Sequence, residues 1–316
     1  MNKLIFFHMN QLGDLLFSLP VLAAARAEWL QIKLFSAIRP DLAPLLSAAG
    51  LTDEIVPRHR NGLLGKYAIV RRLRQEKISR AILFSESPEA ILLSYAAGIP
   101  ERLGFCSASL SFLLTKKAVR TGVPSLKNNF ILGQLAGLKN IKTDYTSLVK
   151  IPSSEIDKTR KWISSETIDA SRMVVVSPGA SKRRKEKCWA VEKWVKLLEL
   201  FNRNNIYLVL TGAPSELEEL KSIAVNISPE PKIFPPTSGI LSFAALLSLA
   251  RLFVGIDSGA MHLAASLNIP VVALFGPTDP EQVGPQPPNR HRVIKKNEMK
   301  EISVEEVWAT ICSSLK

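Results

Sequence analysis

The sequence predicts an α/β protein made of parallel sheets in two domains, on three observations. Short apolar runs alternate with helix-period segments along nearly all of the 316 residues, the pattern of strands joined by crossover helices. Residues 254–280 hold that pattern in a single segment. An apolar run reaches Ile256, Asp257-Ser258-Gly259 follows, a compact helix spans 260–267 and ends at Asn268, and a second apolar run over 271–275 breaks at Gly276-Pro277. Strand, turn, helix and strand in that order make a βαβ unit. Lastly, the chain has about twice the length of a usual domain. Its apolar periodicity fades over 139–152, which places the division at 1–150 and 151–316.

Taken in order, residues 4–7 read as a buried strand that breaks into His8-Met9-Asn10-Gln11-Leu12-Gly13-Asp14. A helix over 15–29 follows, with Pro20 limiting or kinking its early turns. Strands are expected at 32–37, 54–56, 81–84 and 102–105, and helices at 41–49, 63–75 (basic and amphipathic) and 88–97. In the second half a helix over 157–165 leads to a strand at 173–176, broken by Ser177-Pro178-Gly179-Ala180-Ser181. A strongly basic run over 182–187 and Cys188-Trp189 precede a helix that starts near Val191. A strand at 206–210 breaks at Thr211-Gly212-Ala213-Pro214, and a helix begins at Ser215-Glu216. A helix over 242–250 enters the 254–280 segment, and a last helix over 304–314 is expected to pack back on the first domain. The sequence has no internal repeat and no low-complexity tract.

Hydrophobic residues make up 47% of the chain, enough for full cores and without a disorder signature. A net charge of +13 and a pI near 9.7 point to an anionic partner: nucleic acid, a membrane surface or an acidic substrate. Within the first half, basic residues concentrate at Arg58, Arg60, Lys66, Arg71, Arg72 and Arg74, then at Lys116, Lys117 and Arg120. Aromatic content of 7%, with no zinc-finger, RNA-recognition or helix-turn-helix pattern, argues against nucleic acid. Cys106, Cys188 and Cys312 are scattered, as expected of reduced thiols in a cytosolic protein with no zinc site. The run at 4–7 is too short for a signal peptide and no apolar stretch has bilayer length, so a soluble or at most peripheral protein is expected.

Candidate sites lie where strands meet helices. A helix N-terminus offers free backbone N–H groups and the positive end of its dipole to an anion. At 257–262, Gly259 lets a phosphate approach the backbone, Ser258 offers a hydroxyl and His262 a further donor. The same residues read equally as a capped core helix with a satisfied histidine. Asn10, Gln11 and Asp14 would face the crevice at the carboxyl ends of parallel strands, or Asp14 only caps its helix. The glycine turn after 173–176 and the basic loop beyond it suit a phosphate. Within that loop 182–185 reads as solvated charge, and Lys187, beside Trp189, as the ligand. Glu216 either supports a helix N-terminus or binds a ribose diol. The cluster from Arg58 to Lys66 reads as a basic loop suited to anions.

Together these residues resemble the heptosyltransferase family, glycosyltransferases that move heptose from ADP-heptose to the lipopolysaccharide inner core. The resemblance lies first in Asp257-Ser258-Gly259 with His262, Ala264-Ala265, Pro270 and Leu274-Phe275-Gly276-Pro277-Thr278-Asp279-Pro280. Gly13-Asp14 with Leu19-Pro20, Pro178-Gly179-Ala180, Lys187 with Trp189, and Thr211-Gly212 with Glu216 support it. It implies the GT-B architecture, two Rossmann-like domains facing across a cleft, acceptor on the N-terminal side and nucleotide-sugar on the other. It also implies inverting transfer with no metal or cofactor, the ADP-sugar being a substrate. By position it makes Asp14 the general base. It makes Ala180, Ser181, Lys187, Glu216, Asp257, Ser258, Gly259 and His262 the donor-binding set, with Lys187 and the helix N-terminus stabilising the leaving ADP. Asn10, Gln11, Gly13, Arg58, Arg60, Lys66 and Arg120 fall on the acceptor side. Two departures stand out: a longer and more basic loop before Lys187, which makes Lys185 its competitor, and Ala260 where family members often carry proline. The implied partners are a nucleotide-sugar and an anionic glycolipid, with peripheral contact at the cytoplasmic face of an anionic inner membrane and no nucleic acid. The alternatives are the same fold serving another nucleotide-sugar and glycan, or a nucleotide-sugar-binding homologue without activity.

Overall fold

The computed structural model describes residues 2–58, 62–142, 144–179 and 184–315. The chain forms two compact units, Met1–Lys150 and Ile151–Lys316. The first holds β1 (Lys3–Phe7), α1 (Leu12–Glu28), β2 (Lys33–Ile38), α2 (Ala43–Ala49), β3 (Glu54–Pro57) and α3 (Gly62–Glu76), then β4 (Arg80–Leu83), α4 (Pro88–Ala96), β5 (Glu101–Phe105), β6 (Lys116–Ala118) and α5 (Leu126–Leu135). Its sheet is parallel, in the order β3-β2-β1-β4-β5-β6. Ile5 lies opposite Phe35 on one side and Ala81 on the other. Leu4, Ile5, Phe6 and Phe7 are all buried, as a central parallel strand covered by helices on both faces requires. The helix α1 begins three residues before the expected start and runs through Pro20 to Glu28, so Asp14 belongs to its first turn.

The second unit holds α6 (Ser153–Ser165), β7 (Met173–Ser177), α7 (Val191–Arg203), β8 (Tyr207–Leu210), α8 (Leu217–Ala224), β9 (Lys232–Ile233) and α9 (Ile240–Ser248), then β10 (Leu252–Ile256), α10 (Gly259–Ser266), β11 (Val271–Phe275), α11 (Pro280–Val283), β12 (Arg292–Lys295) and α12 (Val304–Ser314). Its parallel sheet runs β12-β11-β10-β7-β8-β9. Trp194, Leu197, Leu198 and Phe201 form the buried face of α7, at the spacing of one helical stripe. The Phe201 ring meets Trp308 of α12 edge to face at 5.3 Å. The closing helix thus packs on α7, β11 and β12 of its own unit.

Each sheet puts its first strand in the middle, the next two on one side and the fourth on the other. The same topology occurs twice with no repeat visible in the sequence. In such a sheet the strand order reverses between the first and fourth strands, and ligands bind beyond their carboxyl ends. Those positions are β1/β4 and β7/β10. Among the described residues no helix is long and apolar enough to cross a membrane.

Candidate active site

In the first unit the switch point is built from the loop after β1, the start of α1 and the loop after β4. Gln11 occupies the N-cap of α1 without a side-chain bond, so Asp14 is not the cap. Burial raises the half-buried Asp14 carboxyl from 3.8 to about 6, against an opposing pull from Arg120. Desolvation therefore outweighs that cation. Arg120 is exposed, lies 4.7 Å from the Phe105 ring centroid and reaches Glu86 after β4 at 3.4 Å.

Beneath this turn sits His8, fully buried. Its Nδ1 is 2.9 Å from Ser18 Oγ and its Nε2 is 3.2 Å from Ser36 Oγ. Ser18 donates its only hydrogen to the Leu15 carbonyl at 2.6 Å, so it accepts from His8 Nδ1–H, and Nε2 accepts from Ser36. Burial, then the charge of Arg58, lowers the imidazole to about 3. His8 is thus a neutral pin joining β1, β2 and the second turn of α1.

Arg58 does not stand on an open basic loop as expected. It is buried, and its Nη1 donates to the His8 carbonyl at 2.9 Å, while its Nε has no partner among the described residues. Burial lowers its pKa, with Glu89 opposing. Lys66 is also not on a loop, since it lies exposed on α3. The Asn10 carbonyl accepts from Arg39 Nη1 at 2.9 Å, and Gly13 is buried. Arg60 lies outside the described residues.

In the second unit the loops after β7 and β10 meet in an ion pair. Lys187 closes a 3-10 turn, Lys185–Lys187, and its Nζ donates to Asp257 Oδ2. Both side chains are largely shielded from solvent. Trp189 anchors the segment, donating from Nε1 to the Ile302 carbonyl at 3.1 Å. The N-cap of α10 is Ser258, whose Oγ accepts from Met261 N, so Asp257 is free of the capping role. His262 is buried one turn on. Burial lowers its pKa to about 4, with Asp257 raising it and Lys187 and His291 lowering it.

Glu216 accepts from the Ala213 N–H through Oε2 at 2.7 Å, which is the local helix-start role. It also sits where two glycines make room. A Cβ on Gly179 would come within 2.8 Å of its Cδ, and one on Gly212 within 2.7 Å of its Oε2. Burial raises its pKa, the Ala213 N–H lowers it and Glu219 raises it. The carboxylate thereby joins the loops after β7 and β8. Ala180 and Ser181 lie outside the described residues.

Sequence reasoning missed His8 with Ser18 and Ser36, Glu86 beside Arg120, and His291, which is buried near His262 with Nε2 3.3 Å from the Gln286 carbonyl. His8 and Glu86 depend on partners far away in the chain, and His291 comes near His262 only through the fold, so no local spacing announces them. Among the described residues no three His, Cys, Asp or Glu side chains are grouped as metal ligands. Chemically, the first unit offers a carboxylate that ionises near neutral pH. The second offers a shielded cation beside a helix N-terminus, a setting for an anion.

Residues 66–309 match glycosyltransferase family 9 (heptosyltransferase). Lipopolysaccharide heptosyltransferase 2 of Escherichia coli K12 is 24% identical over 309 residues, covering 93% of this chain and 88% of that protein. Lipopolysaccharide heptosyltransferase 1 of the same strain is 34% identical over 102 residues, 32% of this chain and 31% of that one. A family 9 glycosyltransferase from Veillonella parvula superposes with a TM-score of 0.89 at 18% identity, covering 99% of this chain and 97% of that one. The E. coli ADP-heptose lipopolysaccharide heptosyltransferase II gives 0.83 at 22%, covering 100% and 98%. The fold is GT-B, and the chain is a glycosyltransferase that belongs to family 9, the heptosyltransferases.

Proposed function

We propose that the chain transfers heptose from ADP-heptose to the inner core of lipopolysaccharide, with inversion and without a metal. The observation that carries the reading is the placement of Asp14 in the first turn of α1, beyond the carboxyl end of the central strand β1, where burial raises its carboxyl to about 6. A base with a pKa near the operating pH combines ionisation with proton affinity. In the reaction an acceptor hydroxyl oxygen bonds to the anomeric carbon and its proton passes to Asp14. The bond from that carbon to the β-phosphate oxygen breaks, and ADP departs with the electron pair. Lys187 has three N–H donors and uses one on Asp257, so others remain for a phosphate oxygen. The N–H groups at the start of α10 supply further charge stabilisation. Glu216 then binds the nucleoside, and the exposed Arg120 and its neighbouring basic residues serve the anionic acceptor at the inner face of the cytoplasmic membrane, whereas the buried Arg58 holds the His8 carbonyl.

The Escherichia coli relatives named above act, by their names, in lipopolysaccharide heptose transfer, which supports this donor and acceptor. The test is ADP release by the purified protein with ADP-heptose and a heptose-deficient lipopolysaccharide acceptor. Asp14→Asn is expected to abolish most of that signal. Transfer from only non-heptose nucleotide-sugars would overturn the donor assignment, and full activity of Asp14→Asn would overturn the base.

A further inference from the structure

One carboxylate joins three successive loops at the carboxyl end of the first sheet. Glu86 follows β4 in a turn whose backbone is held by serines. Ser85 Oγ accepts from the Ser87 N–H at 3.2 Å, and Ser87 Oγ accepts from the Glu89 N–H at 3.3 Å to cap α4. Ser107, after β5, donates its hydroxyl to Glu86 Oε1. Arg120, after β6, donates from Nη1 to Glu86 Oε2 at 3.4 Å. The loops after β5 and β6 meet again where the Cys106 N–H donates to the Ala118 carbonyl at 2.9 Å. The Arg120 guanidinium also lies 4.7 Å from the ring centroid of Phe105, which is buried. An anchored carboxylate and a buried ring thus both constrain it.

A partly exposed ion pair at this distance adds little stability, and a negative charge beside an anion site weakens its long-range attraction. What the contact supplies is orientation. Among the described residues one N–H of the guanidinium is used, on Glu86. The others remain for an oxyanion, which a guanidinium holds best through two parallel bonds. We propose that Glu86 is a positioning residue of the acceptor site, holding Arg120 so that its remaining N–H groups receive an oxyanion of the acceptor. The same carboxylate offsets the Arg120 charge that is felt at Asp14. Glu86 acts in this way only where Asp14 and Arg120 serve the acceptor as proposed above.

The test is transfer kinetics of the full chain on a water-soluble fragment of heptose-deficient lipopolysaccharide, with calorimetric titration of that fragment in the absence of donor. Glu86→Ala is expected to raise the acceptor KM about fivefold or more, with kcat and the KM for ADP-heptose little changed. Its thermal midpoint should stay within about 2 °C of the wild type. The kcat/KM midpoint near pH 6 is expected to fall, because Arg120 lowers the Asp14 pKa and has lost its counter-charge. The other charged groups near this turn, Arg58 with Glu89 and Arg39 paired with Asp41, are the same in every variant. Ser107→Ala keeps the charge and frees one carboxylate oxygen, so it should raise the acceptor KM by less and leave the pH midpoint in place. Arg120→Gln should also raise that KM, and adding Glu86→Ala should raise it no further. Fragments with esterified carboxylates, or stripped of phosphates, identify the oxyanion: the difference between wild type and Glu86→Ala should vanish with one of the two. A difference that survives both treatments, an unchanged or lowered acceptor KM in Glu86→Ala, or additive losses in the double variant would overturn the proposal. Should the chain transfer no heptose, the titration still decides. Fragment binding weakened by Glu86→Ala upholds Glu86 while the donor assignment falls, and equal binding refutes it.

Discussion

A carboxyl group raised from 3.8 to about 6 binds its proton more tightly in the folded chain than in the unfolded one. The native state therefore loses stability as pH rises from about 4 to about 6, and the loss persists above that window. At about 1.36 kcal/mol per unit of pKa, the ionised Asp14 costs up to about 3 kcal/mol at neutral pH. Asp14→Asn is predicted to raise the unfolding midpoint at pH 7.5, to leave it unchanged near pH 3.5, and to lower transfer by about 10²–10⁴. Calorimetry at the two pH values with a rate assay checks both halves, and a variant less stable at pH 7.5 would contradict the account. In the wild type kcat/KM should rise with pH through about 6. His8 acts on the same turn from below. His8→Leu leaves Ser18 and Ser36 without their ring partner, so a stability loss of about 1–3 kcal/mol is expected. If His8 positions α1, kcat should also fall with KM little changed, and the pH midpoint should move. A stability loss with an unaltered pH profile would make His8 merely structural.

Among the elements, the start of α10 depends on a partner from another loop. The Lys187–Asp257 pair joins the segments after β7 and β10, and each charge is tolerated in its shielded position because the other is there. Lys187→Met is predicted to weaken ADP binding at least tenfold by calorimetry, because the cation is lost and an unpaired Asp257 then faces the phosphates. Asp257→Asn should bind ADP at least as well as the wild type, since Lys187 is released from its counter-charge. Equal losses in both variants would mean the pair acts as a structural unit only. The elements legible in the sequence were those with local causes. β1, β7, β10 and β11 are apolar runs buried on both faces, and their following loops exposed Asp14 and Asp257 as candidates. Strands β6 and β12, with Lys116-Lys117 and Arg292, and the two-residue β9 were not legible. Edge strands pair on one side only and need no apolar alternation. The helix α3 was legible as the basic amphipathic helix expected at 63–75, although Leu63 and Leu64, apolar by type, stand in solvent. The Glu216 carboxylate between Gly179 and Gly212 is a tertiary arrangement that no spacing encodes.

For the whole molecule, apolar clusters confined to one unit have a thermodynamic consequence. One cluster gathers Ile5, Phe7, Phe35 and Leu83 with their neighbours, and the other gathers Val174, Trp194, Phe201 and Val254 with theirs. Each of these two clusters lies wholly within one unit, and the prediction is that each unit unfolds as its own cooperative step. A ligand stabilises only the step that destroys its site, by about 2.7 kcal/mol when present at 100 times its Kd. For units of this length that corresponds to a shift of roughly 5–10 °C. ADP is predicted to raise one calorimetric transition by that amount and to leave the other in place, whereas Asp14→Asn raises the transition that ADP leaves alone. The two perturbations thus assign the two transitions independently and place the nucleotide in the second unit by a measurement that needs no acceptor. ADP raising both transitions together would mean that the units unfold as one, and ADP raising the same transition as Asp14→Asn would move the nucleotide to the first unit.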